Sequence, residues 1–244
     1  MTRHDDSHAV FLSGPFVAAL VIGLMLCVRP ALAQPPAGAQ SVAAMPAFPQ
    51  TVAVPSGSAP HLDGVVLGDP AWADVVPATG FSQTKPDARQ PASERTAVWV
   101  VFTDSTLYIG VVCYDRDPGS ITVSDSRRDS SLDDSDSIQI ILDTFRDKQS
   151  GFVFGTSPAG QEYDGQVVNA GEGRLGRSTT TSSGSGAGFN GNWDGVWEVR
   201  TTVSDIGWSA EFAIPFRTLR YPGRALQTWG FNVQRNIRRR NEVA

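Results

Sequence analysis

Trp193, the pair Asn232 and Gln234, and the acidic run from Asp129 to Asp136 are the residues whose types and spacing could do chemistry in this chain of 244 residues. Trp193 follows a run of Gly, Ser and Thr and precedes Asp194-Gly195. That setting suits an exposed ring on which the C–H face of a pyranose stacks, and it equally suits a tryptophan closing the base of a loop. Asn232, Gln234 and Asn236 share one face of an alternating segment, opposite Phe231, Val233 and Ile237. Such an amide ladder can exchange hydrogen bonds with sugar hydroxyls. A merely solvated outer sheet face carries the same pattern. Asp129, Asp133, Asp134 and Asp136 crowd a single turn, and hard oxygen ligands of this kind suit a structural calcium, with Asp133, Asp134 and Asp136 as its candidate ligands. The spacing is not that of an EF-hand loop, and Arg127 and Arg128 offer another way to neutralise the same charge.

Catalysis lacks a constellation. His4 and His8 lie in the first ten residues, which leaves His61 alone beside a turn, so no Ser-His-Asp set or His-rich metal site can be assembled. Glu198, Glu211, Asp136 and Asp143 could supply carboxylates for glycoside hydrolysis, but nothing in their spacing selects a pair. The residues point to binding. A net charge of −5 argues against an electrostatic nucleic-acid binder. The cluster Arg235, Arg238, Arg239 and Arg240 then reads as a solvated tail.

The elements that must position these residues are strands. Period-two alternation runs through Thr96 to Phe102, Leu107 to Tyr114, Ile138 to Leu142, Val196 to Val203, Trp208 to Ile214 and Trp229 to Ile237. Trp99, Trp197 and Trp208 fall on apolar strand faces and are expected in the core. Cys113 shares such a face with Leu107, Ile109 and Val111 and reads as a small buried hydrophobe. Helical signals are limited to single turns near Asp69 to Asp74 and Phe216 to Leu219. Gly171 to Asn192, rich in Gly, Ser and Thr, reads as a long hairpin loop. Many short strands punctuated by Gly, Pro and Asp predict an all-β, two-layer antiparallel β-sandwich over residues 51–240.

Ahead of it, Phe16 to Val28 is an apolar run too short to span a bilayer, followed by Ala31-Leu32-Ala33 in the form that signal peptidase cuts. Residues 1–33 are therefore expected to be a signal peptide, although Asp5 and Asp6 outnumber Arg3 in the leading segment. Residues 34–50, rich in Pro, Ala and Gln, read as a flexible linker. The domain is thus expected to be periplasmic, associated with the outer membrane, or secreted.

Five blocks occur in an order that resembles the family 9 carbohydrate-binding modules: His61-Leu62-Asp63-Gly64 with Trp72, Thr103 to Tyr108, Asp136 to Asp143, Trp208 to Pro215, and Gly230 to Gln234. Arg127-Arg128-Asp129, Thr144 to Asp147, Trp193 to Trp197 and Leu219 to Pro222 resemble bacterial exported proteins in which such a module precedes an outer-membrane β-barrel. The resemblance implies a jelly-roll-like sandwich of the carbohydrate-binding-module type, a saccharide ligand, and a hydrolase or barrel partner beyond Ala244. It places the family's acidic sugar contact on Gln139 and its Arg and Asn contacts near Val153 and Gly155. The position of one clamp tryptophan falls in Ser131 to Ser135, which holds no aromatic residue. The competing expectation is a periplasmic or surface interaction domain that keeps the sandwich without the sugar site.

Overall fold

The computed structural model describes residues 52–168, 185–186 and 188–244, which belong to one compact unit, Ala47–Ala244. The expected signal peptide and linker, and most of the Gly171 to Asn192 loop, lie outside the described residues. The strands are β1 (Val54–Pro55), β2 (Thr96–Phe102), β3 (Thr106–Tyr114), β4 (Ser137–Asp143), β5 (Gly151–Thr156), β6 (Tyr163–Val167), β7 (Ser185–Gly186), β8 (Phe189–Asn190), β9 (Glu198–Ser204), β10 (Gly207–Pro215), β11 (Gly230–Ile237) and β12 (Glu242–Val243). They form a five-stranded sheet, β1-β2-β3-β10-β9, and a seven-stranded sheet, β12-β11-β4-β5-β6-β8-β7. Helical structure among the described residues is confined to three-residue 3-10 turns, two of them at the expected places, Pro70–Trp72 and Phe216–Thr218. One pairing departs from the antiparallel expectation: β1 runs parallel to β2, Val54 facing Val101.

The core lies between the sheets. Val98, Val100, Ile109, Val111, Phe212 and Ile214 of the first sheet meet Ile138, Ile140, Leu142, Phe152, Phe154 and Val233 of the second. Alternation explains which side chains meet, because successive residues on a strand point to opposite faces. Cys113 is fully buried there, and burial pushes its thiol up to about 11, so it stays a neutral, unreactive hydrophobe. Trp197 and Trp208 join this core, as expected.

Trp99 does not. β2 is buried on nearly its whole length because a second apolar cluster covers the outer face of the five-stranded sheet. There Ala97, Trp99, Val101 and Val112 pack beneath Val66, Trp72 and Val75 from the segment that precedes β2. A strand covered on both faces loses its polar alternate positions, and the run Ala97 to Val101 shows this. Glu211, pointing outward from β10, fastens the cover through the backbone N–H groups of Asp63 and Gly64 and the Trp72 indole N–H. Gly64 has φ 86°, and a Cβ there would lie 2.6 Å from the Thr201 carbonyl carbon, so only glycine fits the turn.

The arginine-rich end is not a solvated tail. Arg235 points inward from β11, is 2% exposed, and donates to the Arg95 and Tyr114 carbonyls and the Thr96 hydroxyl. Arg239 and Arg240 each reach the buried Glu94 carboxylate at 2.9 Å, and Arg116 reaches it at 3.1 Å. Alternation hid this because an arginine at an inward position looks the same in sequence as one at an outward position. Burial opposes the charge on Glu94, but the hydrogen bonds and charge of Arg116, with the charge of Arg240, outweigh it and hold the carboxyl below its ordinary 4.5. A depressed folded-state pKa contributes stability that is present above the unfolded value and is lost as pH falls through the folded one. In urea melts between pH 6 and pH 3, the wild type should therefore lose its advantage over Glu94→Gln as the pH drops below 4.5. A gap that stays constant across that range would remove Glu94 from the acid sensitivity of the fold.

Candidate functional site

The outer face of the seven-stranded sheet brings three of the four sequence-predicted sugar contacts together. Antiparallel pairing sets Gln234 of β11 directly opposite Gln139 of β4, and Asn232 opposite Ile141, one step further along the same face. Continuing across the sheet, Gln139 pairs with Gly155 of β5, and Gly155 with Tyr163 of β6. Residues paired across adjacent strands project from the same side, so Gln234, Gln139 and Tyr163 form one row. With strands about 4.8 Å apart, that row spans about 14 Å. Among the described residues, no hydrogen bond engages the side chains of Gln139, Asn232 or Gln234. Their amides are free to donate and accept outward.

Asn236, the third rung of the ladder, is committed elsewhere. Its amide nitrogen donates to the Leu132 and Ser135 carbonyls at 3.3 and 2.7 Å, pinning the 132–135 loop to the sheet edge. That loop lays the buried Leu132 against Gly155, at the position where the family resemblance would put an asparagine contact.

The aromatic component of this face comes from residues the sequence did not single out. Tyr163 and Phe189 lie with ring centroids 6.3 Å apart and planes 11° from parallel. The Phe189 ring reaches over Gly165, where an added Cβ would come within 2.4 Å of it. Glycine inside a strand marks such a close approach, and Gly165 in the middle of β6 was the available signal. Burial, together with the charges of Asp133 and Asp129, pushes the Tyr163 phenol up to about 12. The phenol thus stays neutral and able to donate a hydrogen bond across the working pH range.

Trp193 belongs to the opposite side of the sheet. Its half-buried ring packs against Phe152 at 5.1 Å and Phe154 at 5.9 Å, both of them core residues. It closes the base of the loop, the second of its two expected roles, and it does not share a face with the amides. The physical reason is the pairing of apolar neighbours: a tryptophan beside two core phenylalanines gains more from burial than from exposure.

The acidic turn is dispersed as well. Asp136 is 1% exposed and accepts from the Thr122 backbone N–H at 2.7 Å, and burial pushes its carboxyl upward. Asp133 and Asp134 are exposed, and Asp134 pairs with Arg238 at 3.3 Å. Asp129 instead contacts Arg128, whose guanidinium also meets Glu162, Asp164 and Asp194. Arginine neutralisation is what the structure displays here. Among the described residues, no three His, Cys, Asp or Glu side chains converge as ligands.

No protein-family model and no curated protein matches the chain. Among solved structures it is similar to a family 9 carbohydrate-binding module from Caldicellulosiruptor kristjanssonii in complex with glucose, with a TM-score of 0.50 at 18% identity over 77% of this chain and 78% of that one. The structure of such a module from the same organism in complex with cellotriose gives 0.49 at 18% identity, covering 77% and 76%. At this identity the likeness speaks for architecture, and it makes the chain a β-sandwich with the fold of the family 9 carbohydrate-binding modules.

Proposed function

We propose that this domain is an exported carbohydrate-binding module that holds a saccharide on the outer face of its seven-stranded sheet, in service of carbohydrate breakdown by a glycoside hydrolase or of an outer-membrane barrel. The observation that carries the reading is the row of unengaged amides, Gln234 and Gln139 with Asn232 beside them, on the same face as the Tyr163 and Phe189 rings. Hydroxyl groups need directed donors and acceptors, and sugar C–H faces need a flat apolar surface. This face supplies both. The neighbour's bound glucose makes simple sugars the first class to try.

Titration against glucose, cello-oligosaccharides and a glycan array, with and without calcium, tests the reading. Dissociation constants between about micromolar and millimolar are expected, since only a few hydrogen bonds, each contributing about 1 kcal/mol, are on offer. The double variant Gln139→Ala/Gln234→Ala should weaken binding about tenfold while leaving the urea midpoint in place. If no saccharide binds at millimolar concentration, the interaction-domain reading replaces this one. Unchanged binding by the double variant would move the sugar off this face.

A further inference from the structure

At one end of the seven-stranded sheet, a cleft of about 730 Å³ opens between the 144–148 loop and the 222–229 segment, a size suited to small ligands. Its lining carries three cations, Arg146, Lys148 and Arg224, all exposed. None of the three makes an ion pair among the described residues; Lys85, Arg89, Arg217 and Arg220 likewise make none, but Arg146, Lys148 and Arg224 converge on one cleft, whereas Arg116, Arg128, Arg238, Arg239 and Arg240 are paired with carboxylates. The cleft holds a single carboxylate, Asp143, and its two oxygens accept the backbone N–H groups of Asp147 and Lys148. Asp143 therefore closes the loop instead of neutralising the cations. Excess positive charge is left facing one cavity of a protein whose net charge is −5.

Two further observations mark the cleft as built for a ligand. Arg146 and Lys148 both adopt left-handed backbone conformations, φ 55° and 57°, a cost that non-glycine residues rarely bear. The wall is aromatic: Trp229 is fixed by its indole N–H donating to the Gln227 side chain at 3.3 Å and by Tyr221 at 5.5 Å, and Phe145 is half exposed at the rim. Flat apolar surface beside unpaired arginines suits a ligand with C–H faces and carboxylates together. Neutral sugars leave the cations unused, and small inorganic anions leave the rings unused.

We infer that this cleft is a binding site for anionic saccharides, specifically uronate-bearing chains, with Trp229 and Phe145 stacking the sugar rings and Arg146, Lys148 and Arg224 receiving the carboxylates. Guanidinium groups match carboxylates in a two-pronged geometry, which lends direction to an otherwise diffuse attraction. Gly230 and Asp143 in its lining lie one step from Asn232 on the same side of the sheet, whereas Gln139 and Gln234 stand outside the lining and are not needed by the site.

Oligogalacturonate and a cello-oligosaccharide of equal length, titrated into the whole chain at low and at high salt, test the inference. The uronate chain should bind about tenfold more tightly at low salt and lose that preference at high salt, because exposed charges are screened. The triple variant Arg146→Gln/Lys148→Gln/Arg224→Gln changes only exposed side chains. It should abolish the preference, while Gln139→Ala/Gln234→Ala should leave it intact. Equal affinity for the two chains at low salt overturns the inference, as does a preference that survives the triple variant. Failure of neutral sugars alone would count against the amide face and leave this cleft standing.

Discussion

Replacing Glu211 by alanine is expected to destabilise the domain by about 3–5 kcal/mol. The side chain is fully buried between the five-stranded sheet and its cover. Oε2 accepts from the Asp63 and Gly64 N–H groups at 3.1 and 2.9 Å, and Oε1 from the Trp72 indole at 3.0 Å. Alanine would orphan the buried Gly64 and Trp72 donors and loosen the part-buried Asp63 N–H, and each buried unsatisfied group costs about 1–3 kcal/mol. The loss should appear in urea melts and as faster hydrogen exchange at Gly64. A cost below about 1 kcal/mol would mean that apolar packing by Val66, Trp72 and Val75 holds the cover by itself. Glutamine separates charge from hydrogen bonding. Burial raises the Glu211 carboxyl above 4.5, against the lowering effect of its three donors, so the folded state holds the proton more tightly than the unfolded chain does. Stability from this group is present below the unfolded value and is lost as pH rises through the folded one. Wild type should accordingly decline relative to Glu211→Gln from pH 4 to pH 7, the opposite trend to that expected at Glu94.

The strands were legible both where one face is wetter, as in β4 and β11, and where apolar residues run along both faces, as in β2. β2, β3, β4, β10 and β11 fall within a residue or two of their expected bounds, because period two is imposed by the pleat itself. β6 was not legible: Tyr163-Asp164-Gly165-Gln166-Val167 places an aspartate on the inward face, where it meets Arg128 and the Gly195 N–H. That aspartate breaks the apolar alternation, and with β6 went Tyr163, half of the aromatic pair on the candidate site. Register explains the rest. Alternation put Asn232 and Gln234 on one face, but only pairing across β4 could show that Gln139 stands opposite Gln234. Trp193 was ambiguous for the converse reason. Nothing local distinguishes a ring resting on Phe152 and Phe154 from one facing water, since both phenylalanines lie about forty residues earlier in the chain. The role of Glu211 was equally hidden, because its partners at Asp63, Gly64 and Trp72 are more than a hundred residues away.

The inner face of β10 carries a comparable effect. Trp208→Ala should cost about 3–5 kcal/mol, as expected for a large side chain removed from a core that cannot collapse around the void. Trp208 is 1% exposed and sits on the inner face of β10 between Cys113 of β3 and Val203 of β9. Both neighbours are held by continuous ladders, so the backbone cannot move in to fill the space. Trp193→Ala removes a ring of the same size from a half-buried position, where water can enter the vacated volume and where contact with Phe152 and Phe154 is the main loss. About 2 kcal/mol is expected there. Paired urea melts decide between the two environments. Equal losses would show that burial at the loop base matches burial in the core, and Trp193 would then have to be counted among the residues that hold the sheets together.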